Sequence, residues 1–410
     1  MPQKTSKYKP IAVVGISAIF PGSLTVTGYW KNILEKKDQM TDIPPNYWLI
    51  DDFYDPDPFA PDKTYCKRGA FIPEVDFDPM EFGIPPTNIE STDTSQLLAL
   101  IVAKQVLEDA ANGQFSDMDR ERMSVILGVG GGLELLGEMT ARLEKPILIK
   151  ALREEGVPED DVQRICNRII TYAKPWKESS FPGLLNNVIA GRIANRMDLK
   201  GTNCTTDAAC ASSFASLSMA MNELYLGQSD IVITGGVDTL NNPFMFLCFS
   251  KTPALSFKNE CRPFSDKADG MMLGEGLGMV ALKRLEDAER DGDKIYAVIK
   301  GVGASSDGRG SSIYSPVAEG QERAVERCYD IAGYSPATVE LVEAHGTGTM
   351  VGDEAEFKGL TTVFNKSGRK DRQWCALGTV KSQIGHTKSA AAVAGLIKAI
   401  MAVHHKVLPP

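Results

Sequence analysis

The chain has no Cys-x-x-Cys pair. Its eight cysteines (Cys66, Cys166, Cys204, Cys210, Cys248, Cys261, Cys328 and Cys375) are scattered, which argues against a zinc site or a disulfide framework and fits buried small apolar side chains for most of them. There is no basic excess: 44 Lys and Arg stand against 53 Asp and Glu, a net charge of −9, so the charge gives no nucleic-acid footprint. No apolar stretch of signal-peptide length follows the basic opening Met1–Pro10. The uncharged run Ala208–Asn222 falls short of the roughly 20 residues that span a bilayer. A cytoplasmic chain without membrane insertion is expected. Repeats, low-complexity tracts and flexible linkers are also missing. What remains is an ordinary folded composition over 410 residues, 43% hydrophobic and 24% charged, long enough to bury roughly three quarters of its unfolded surface.

Strand-like and helix-like segments alternate. Ile11–Gly15, Ser124–Gly128 and Ile231–Gly235 are β-branched runs, while Thr94–Ala111 and Ala211–Leu226 carry apolar residues at helical spacing. Roughly 133–185 is charge-rich and reads as an insertion of helices and loops. A second alternation follows: strands at Gly278–Leu282, Lys294–Val302, Val339–Ala344 and Cys375–Val380, and helices at Gly320–Ala332, Asp353–Phe364 and Ser389–His404. Two βαβ-rich halves breaking near 255–265 predict an α/β fold with buried sheets. The glycine segments Gly128–Gly132 and Gly274–Gly278 lack the Walker and G-x-G-x-x-G contexts, so close backbone packing accounts for them better than a nucleotide.

Histidine is scarce, and all four lie late: His345, His386, His404 and His405. His345 opens the turn His-Gly-Thr-Gly-Thr349 after one predicted strand, and His386 follows another strand and turn before an Ala-rich helix. Both positions are strand ends, where α/β sheets place ligands. His404 and His405 end a helix and read as terminal charge or packing. Cys210 sits among Ala and Ser at the start of the helix Ala211–Leu226. There the macrodipole is expected to pull a thiol below its usual value of about 8.5, and the outward backbone N–H could hold an oxyanion. Cys204 has no such setting.

Together the runs Asp207–Ser213, Glu343–Thr349 and Lys381–His386 resemble the three signatures of β-ketoacyl synthases, in order and spacing. Supporting text comes from Ile11–Ile16, Arg192–Arg196, Arg262–Asp266 and Gly274–Gly276. Within that family, Tyr65–Phe71, Glu81–Pro86, Gly128–Gly132 and Ser312–Pro316 most resemble ketosynthases of polyunsaturated fatty acid synthases and iterative type I polyketide synthases. Modular polyketide ketosynthases usually read Thr-Ala-Cys-Ser-Ser, whereas this chain has Ala208-Ala-Cys210-Ala-Ser212.

The resemblance implies a thiolase-like, five-layered αβαβα fold of two pseudo-repeated halves, residues 8–260 with the nucleophile and 261–410 with the two histidines. It implies catalysis by Cys210, His345 and His386, with Lys381 tuning the histidines, Glu356 able to pair with that lysine, and Asp207 fixing the turn before Cys210. Thr347 and Thr349 are implied to bind a phosphopantetheine arm, although turn chemistry explains them nearly as well. No metal or redox cofactor is implied; the pantetheine belongs to a partner acyl carrier protein bearing acyl and malonyl groups. A homodimer is implied, with Ile231–Gly235 as the strand at the two-fold. In that family the chain continues past Leu408-Pro-Pro410 into a Gly-rich, Phe-containing loop. A truncated C-terminal end with an exposed sheet edge is therefore expected. Alternatives are a non-catalytic partner for dimerisation or chain-length control, an inactive fragment, or another Cys–His enzyme. A thiolase would need a second catalytic cysteine, and Cys328 and Cys375 lie in no such motif.

Overall fold

A computed structural model describes residues 8–131, 134–310 and 312–410. Most of the basic opening segment, Gly132 of the glycine run and position 133 of the insertion lie outside the described residues. Ten strands occur among them: β1 (Ile11–Ile19), β2 (Met40–Asp42), β3 (Arg68–Ala70), β4 (Met123–Val129), β5 (Asn203–Thr206), β6 (Ile231–Asp238), β7 (Gly276–Arg284), β8 (Ala297–Ile299), β9 (Leu341–Glu343) and β10 (Ala376–Gly378). Six form the main sheet in the order β5-β4-β6-β7-β1-β8. β5, β4 and β6 run parallel, while β7 is antiparallel to both β6 and β1. β9 and β10 form a separate parallel pair, and β2 and β3 an antiparallel one.

The main sheet is buried on both faces, and the period-2 side-chain alternation shows it directly. Ala12 and Val14 of β1, Val125 and Leu127 of β4, and Ile231 and Ile233 of β6 join one core with the helix Thr94–Ala110. Their neighbours Ile11, Val13, Ile126 and Val232 join the other, with the helices Ser212–Tyr225 and Ala391–His405. Those two helices form a central layer. On its far side Lys398 of the second helix meets Glu343 of β9. The helices Ala318–Ala332 and Met350–Asn365 pack on one another in the same half of the chain.

The central helices approach β4 so closely that only a glycine fits at Gly128. A Cβ there would lie 2.4 Å from the Ser212 carbonyl carbon and 2.5 Å from the Ser213 nitrogen. Gly274 behaves alike, with the Ile384 carbonyl oxygen 2.1 Å from where its Cβ would be. Close backbone packing is thus the role of both glycine segments in the described residues. The charge-rich insertion contains two packed helices, Glu134–Glu154 and Glu159–Ile170, and the short helix Ser180–Gly183.

One expectation fails here. Ile231–Gly235 belongs to β6, which is hydrogen-bonded to β4 on one side and β7 on the other. A strand with both edges occupied cannot pair across a two-fold; its uniformly apolar run marks a central strand instead. The outer strands of this sheet are β5 and β8.

Candidate active site

Strand β5 delivers the chain to a tight turn. Asp207 Oδ1 accepts the Ala209 amide at 2.9 Å, and Oδ2 accepts the Gly131 amide at 3.3 Å. Ser212 Oγ accepts the Ala208 amide at 2.9 Å and donates to the Ala209 carbonyl at 2.7 Å. These contacts hold Ala209 at φ +50°, a left-handed conformation costing a residue with a Cβ roughly 1–2 kcal/mol. The strain falls on the residue immediately before Cys210. Cys210 lies in the short 3₁₀ turn Ala209–Ala211, one step ahead of the helix Ser212–Tyr225.

The histidines arrive from the other half. His345 follows β9, and its amide and that of Gly346 donate to the two oxygens of Glu356, each at 2.7 Å. His386 is bolted through its backbone. Its amide donates to the Met272 carbonyl at 2.7 Å, and its carbonyl accepts the Gly274 amide at 3.0 Å. The two rings lie edge to face, centroids 5.4 Å apart. The Cys210 sulfur and one ring nitrogen from each histidine all fall within 4.8 Å of one another.

The backbone partner of His386 assigns its tautomer. Nδ1 accepts the Lys388 amide at 2.9 Å, so in the neutral ring the hydrogen sits on Nε2. Nε2 is buried and has no hydrogen-bond partner among the described residues. A buried donor left unpaired by the protein is costly unless something else accepts from it. Burial first, and then the Lys381 ammonium, hold His386 well below its ordinary value. His345 is pushed down to about 3 by the same two causes. His345 is the more exposed residue of the two, and both shifts run the same way, toward the neutral imidazole at pH 7. Three donor atoms this close could also grip a metal, but the buried ammonium that disfavours imidazolium equally disfavours a second cation.

The thiol corrects a second expectation. Burial raises the Cys210 pKa; Lys381 and Lys388 pull it back only in part, and Asp238 adds to the rise. The 3₁₀ turn sets Cys210 ahead of the helix proper, and burial is the largest influence on its thiol. Lys381 is itself lowered by burial, opposed by Glu343 and Glu356. Glu356 spends both oxygens on the backbone amides of His345 and Gly346 and forms no ion pair with Lys381 among the described residues.

Residues 8–288 match the family model for the β-ketoacyl synthase N-terminal domain, and 296–410 match that for the C-terminal domain. The chain belongs to the β-ketoacyl synthase family. This ketosynthase is 43% identical over 400 residues to a polyunsaturated fatty acid synthase polypeptide of Thraustochytrium sp. (strain ATCC 26185 / S-3), covering 97% of this chain and 14% of that protein. It is 35% identical over 407 residues to a phenolphthiocerol/phthiocerol polyketide synthase polypeptide of Mycobacterium tuberculosis (strain CDC 1551 / Oshkosh), covering 99% of this chain and 20% of the relative. The chain therefore spans a fifth or less of these relatives. A ketosynthase from module 6 of the bacillaene synthase of Bacillus subtilis 168 superimposes with a TM-score of 0.82 at 32% identity, over 98% of this chain and 62% of that one. The thiolase-like arrangement expected from the sequence is the fold observed.

Elsewhere in the ketosynthase, Thr347 and Thr349 join hydroxyls at 2.9 Å beside the glycines of the 345–349 turn. His404 and His405 lie away from the cluster, ringed by Tyr296 and Trp30. Two buried ion pairs escaped the sequence reading. Lys388 meets Asp238 at 3.0 Å, and Lys398 meets Glu343 at 2.7 Å. Each lysine is a lone charge in the apolar run Ser389–Val403 or just before it, and that was the available signal. Among the described residues no helix is long and apolar enough to cross a membrane.

Proposed function

We propose that this ketosynthase catalyses decarboxylative condensation of a Cys210-bound acyl chain with a malonyl group on an acyl carrier protein. The Cys210 thiolate attacks an acyl–pantetheine thioester and releases the pantetheine thiol, leaving an acyl-cysteine. The malonyl thioester then loses CO₂. The electron pair of the broken C–C bond passes to the thioester enolate, whose oxygen accepts hydrogen bonds from His345 and His386. The enolate carbon attacks the acyl-Cys210 carbonyl, the C–S bond breaks, and the β-ketoacyl thioester leaves on the carrier as the thiolate is restored.

One observation carries this reading. With Nδ1 accepting the Lys388 amide, the His386 hydrogen falls on Nε2, buried without a partner among the described residues, and a nitrogen of this ring lies within 4.8 Å of the Cys210 sulfur. A neutral donor waiting for an oxygen suits enolate stabilisation; a thiol base would need a free acceptor nitrogen there. Burial keeps both rings neutral and the Lys381 charge adds to it, Glu356 and Asp207 hold the turns, and Thr347 and Thr349 are the proposed contacts for the pantetheine arm. The chemistry calls on no resident cofactor. The proposed partners are an acyl carrier protein and a second copy of this chain, and the likeness to a polyunsaturated fatty acid synthase favours that pathway class over other polyketides. The test separates the half-reactions. Cys210→Ala should abolish acyl loading and leave malonyl decarboxylation measurable, while His345→Ala should spare loading and stop decarboxylation. Loss of loading in His345→Ala would make that histidine a thiol base and end this assignment.

A further inference from the structure

Lys388 stands two residues beyond His386, in a backbone conformation its type does not favour. Its φ is +46°, where a residue with a Cβ is strained and glycine is the usual occupant. The side chain then runs inward and is 6% exposed. Its ammonium has three hydrogens and meets three acceptors: Asp238 Oδ1 at 3.0 Å, Asn241 Oδ1 at 3.0 Å and the Gly274 carbonyl at 2.7 Å. The second oxygen of Asp238 is engaged by Ser389, through its amide at 3.2 Å and its hydroxyl at 2.9 Å. The carboxylate at the end of β6 is thus bridged to two successive residues of the loop.

This strained, clamped residue presents its amide to His386 Nδ1 at 2.9 Å. Gly274, one of the three acceptors, also donates its own amide to the His386 carbonyl. The lysine therefore ties together the two backbone contacts that orient the ring. A hydrogen on Nδ1 would face the Lys388 N–H at that distance, so the amide admits only the Nε2–H form.

We infer that Lys388 is a positioning residue: its buried ammonium, pinned by Asp238, Asn241 and Gly274, holds a left-handed backbone whose amide fixes His386 as the Nε2–H tautomer. The φ of +46° lets the side chain reach its three buried acceptors while the amide of the same residue meets Nδ1. The inference rests on the proposed reaction only for its effect on rate; its effect on the tautomer stands apart.

The test uses the full 410-residue chain labelled with [¹⁵N]histidine. Only four histidines are present, and His404→Gln and His405→Gln variants assign the two outside the cluster. In the unaltered protein His386 should show a bare, accepting Nδ1 and a protonated Nε2. In Lys388→Met that single tautomer should give way to a mixture. Malonyl decarboxylation should fall at least tenfold, and Cys210 acylation should fall less, through loss of the Lys388 charge that lowers the thiol pKa. Lys388→Met/Asp238→Asn removes the stranded carboxylate, so it decides the matter if the single variant fails to fold, and the same tautomer mixture is expected. A folded variant of either kind that keeps His386 purely as Nε2–H overturns the inference. Absence of decarboxylation in the unaltered protein, with the tautomer change intact, would instead overturn the proposed reaction and leave the positioning role supported.

Discussion

Replacing Lys398 with methionine strands a carboxylate. Lys398 and Glu343 are 3% and 9% exposed and 2.7 Å apart, and the methionine keeps the packing of the aliphatic stem while deleting the charge. Removing one partner of a buried pair costs about 3–5 kcal/mol. Burial already raises the Glu343 pKa, with Lys398 the largest opposing influence, so in the variant the carboxyl takes up a proton. That escape caps the cost. Neutralising a carboxyl of ordinary pKa near 4.3 takes about 3.7 kcal/mol at pH 7 and about 1 kcal/mol at pH 5. The sign follows from proton counting: the folded variant binds a proton that the unfolded chain has lost, so its stability falls as pH rises between the two pKa values. Urea unfolding should show a deficit of about 3 kcal/mol at pH 7 that shrinks by more than half at pH 5. Glu343→Gln/Lys398→Met should recover most of it. A deficit below about 1 kcal/mol at pH 7, or one equal at both pH values, would refute the argument. So would a double variant as unstable as the single.

Gly128→Ala should push the start of the nucleophile helix outward, since the added Cβ meets Ser212 backbone at 2.4 Å; alkylation of Cys210 should slow more than tenfold by peptide mapping, while Gly137→Ala, whose Cβ meets nothing within 4 Å, should leave it unchanged. The two half-reactions should also part in their pH dependence. Both cluster histidines have lowered pKa values, His345 to about 3, so decarboxylation in Cys210→Ala should stay flat from pH 8 down to pH 5, whereas acyl loading should climb with pH because the raised Cys210 pKa leaves thiolate scarce at neutrality. A decarboxylation rate that drops through the ordinary histidine range would contradict the neutral-donor assignment.

Much of this was legible in the residues themselves. The helix Thr94–Ala110 matches its apolar periodicity to within one residue, and β4 and β6 extend from the β-branched runs that announce them. His345 and His386 were set apart from His404 and His405 by their strand-end turns. Other features were out of reach because they depend on distant chain. Whether Ile231–Gly235 lies at an edge or in the centre depends on β4 and β7, which no local pattern names. The Cys210 environment is out of reach for a related reason: a helix start can be read from sequence, whereas the burial that raises the thiol pKa depends on chain packed around it from elsewhere. Lys388 and Asp238 are 150 residues apart in the chain, so their pairing is invisible until the loop closes on β6.

The most direct test of the central claim is intact-mass spectrometry of the 410-residue chain after incubation with an acyl thioester, followed by peptide mapping. The account predicts a single acyl adduct, on Cys210, absent from Cys210→Ala and retained in His345→Ala. An adduct on another of the eight cysteines, or none on folded protein, would contradict the assignment of Cys210 as the nucleophile.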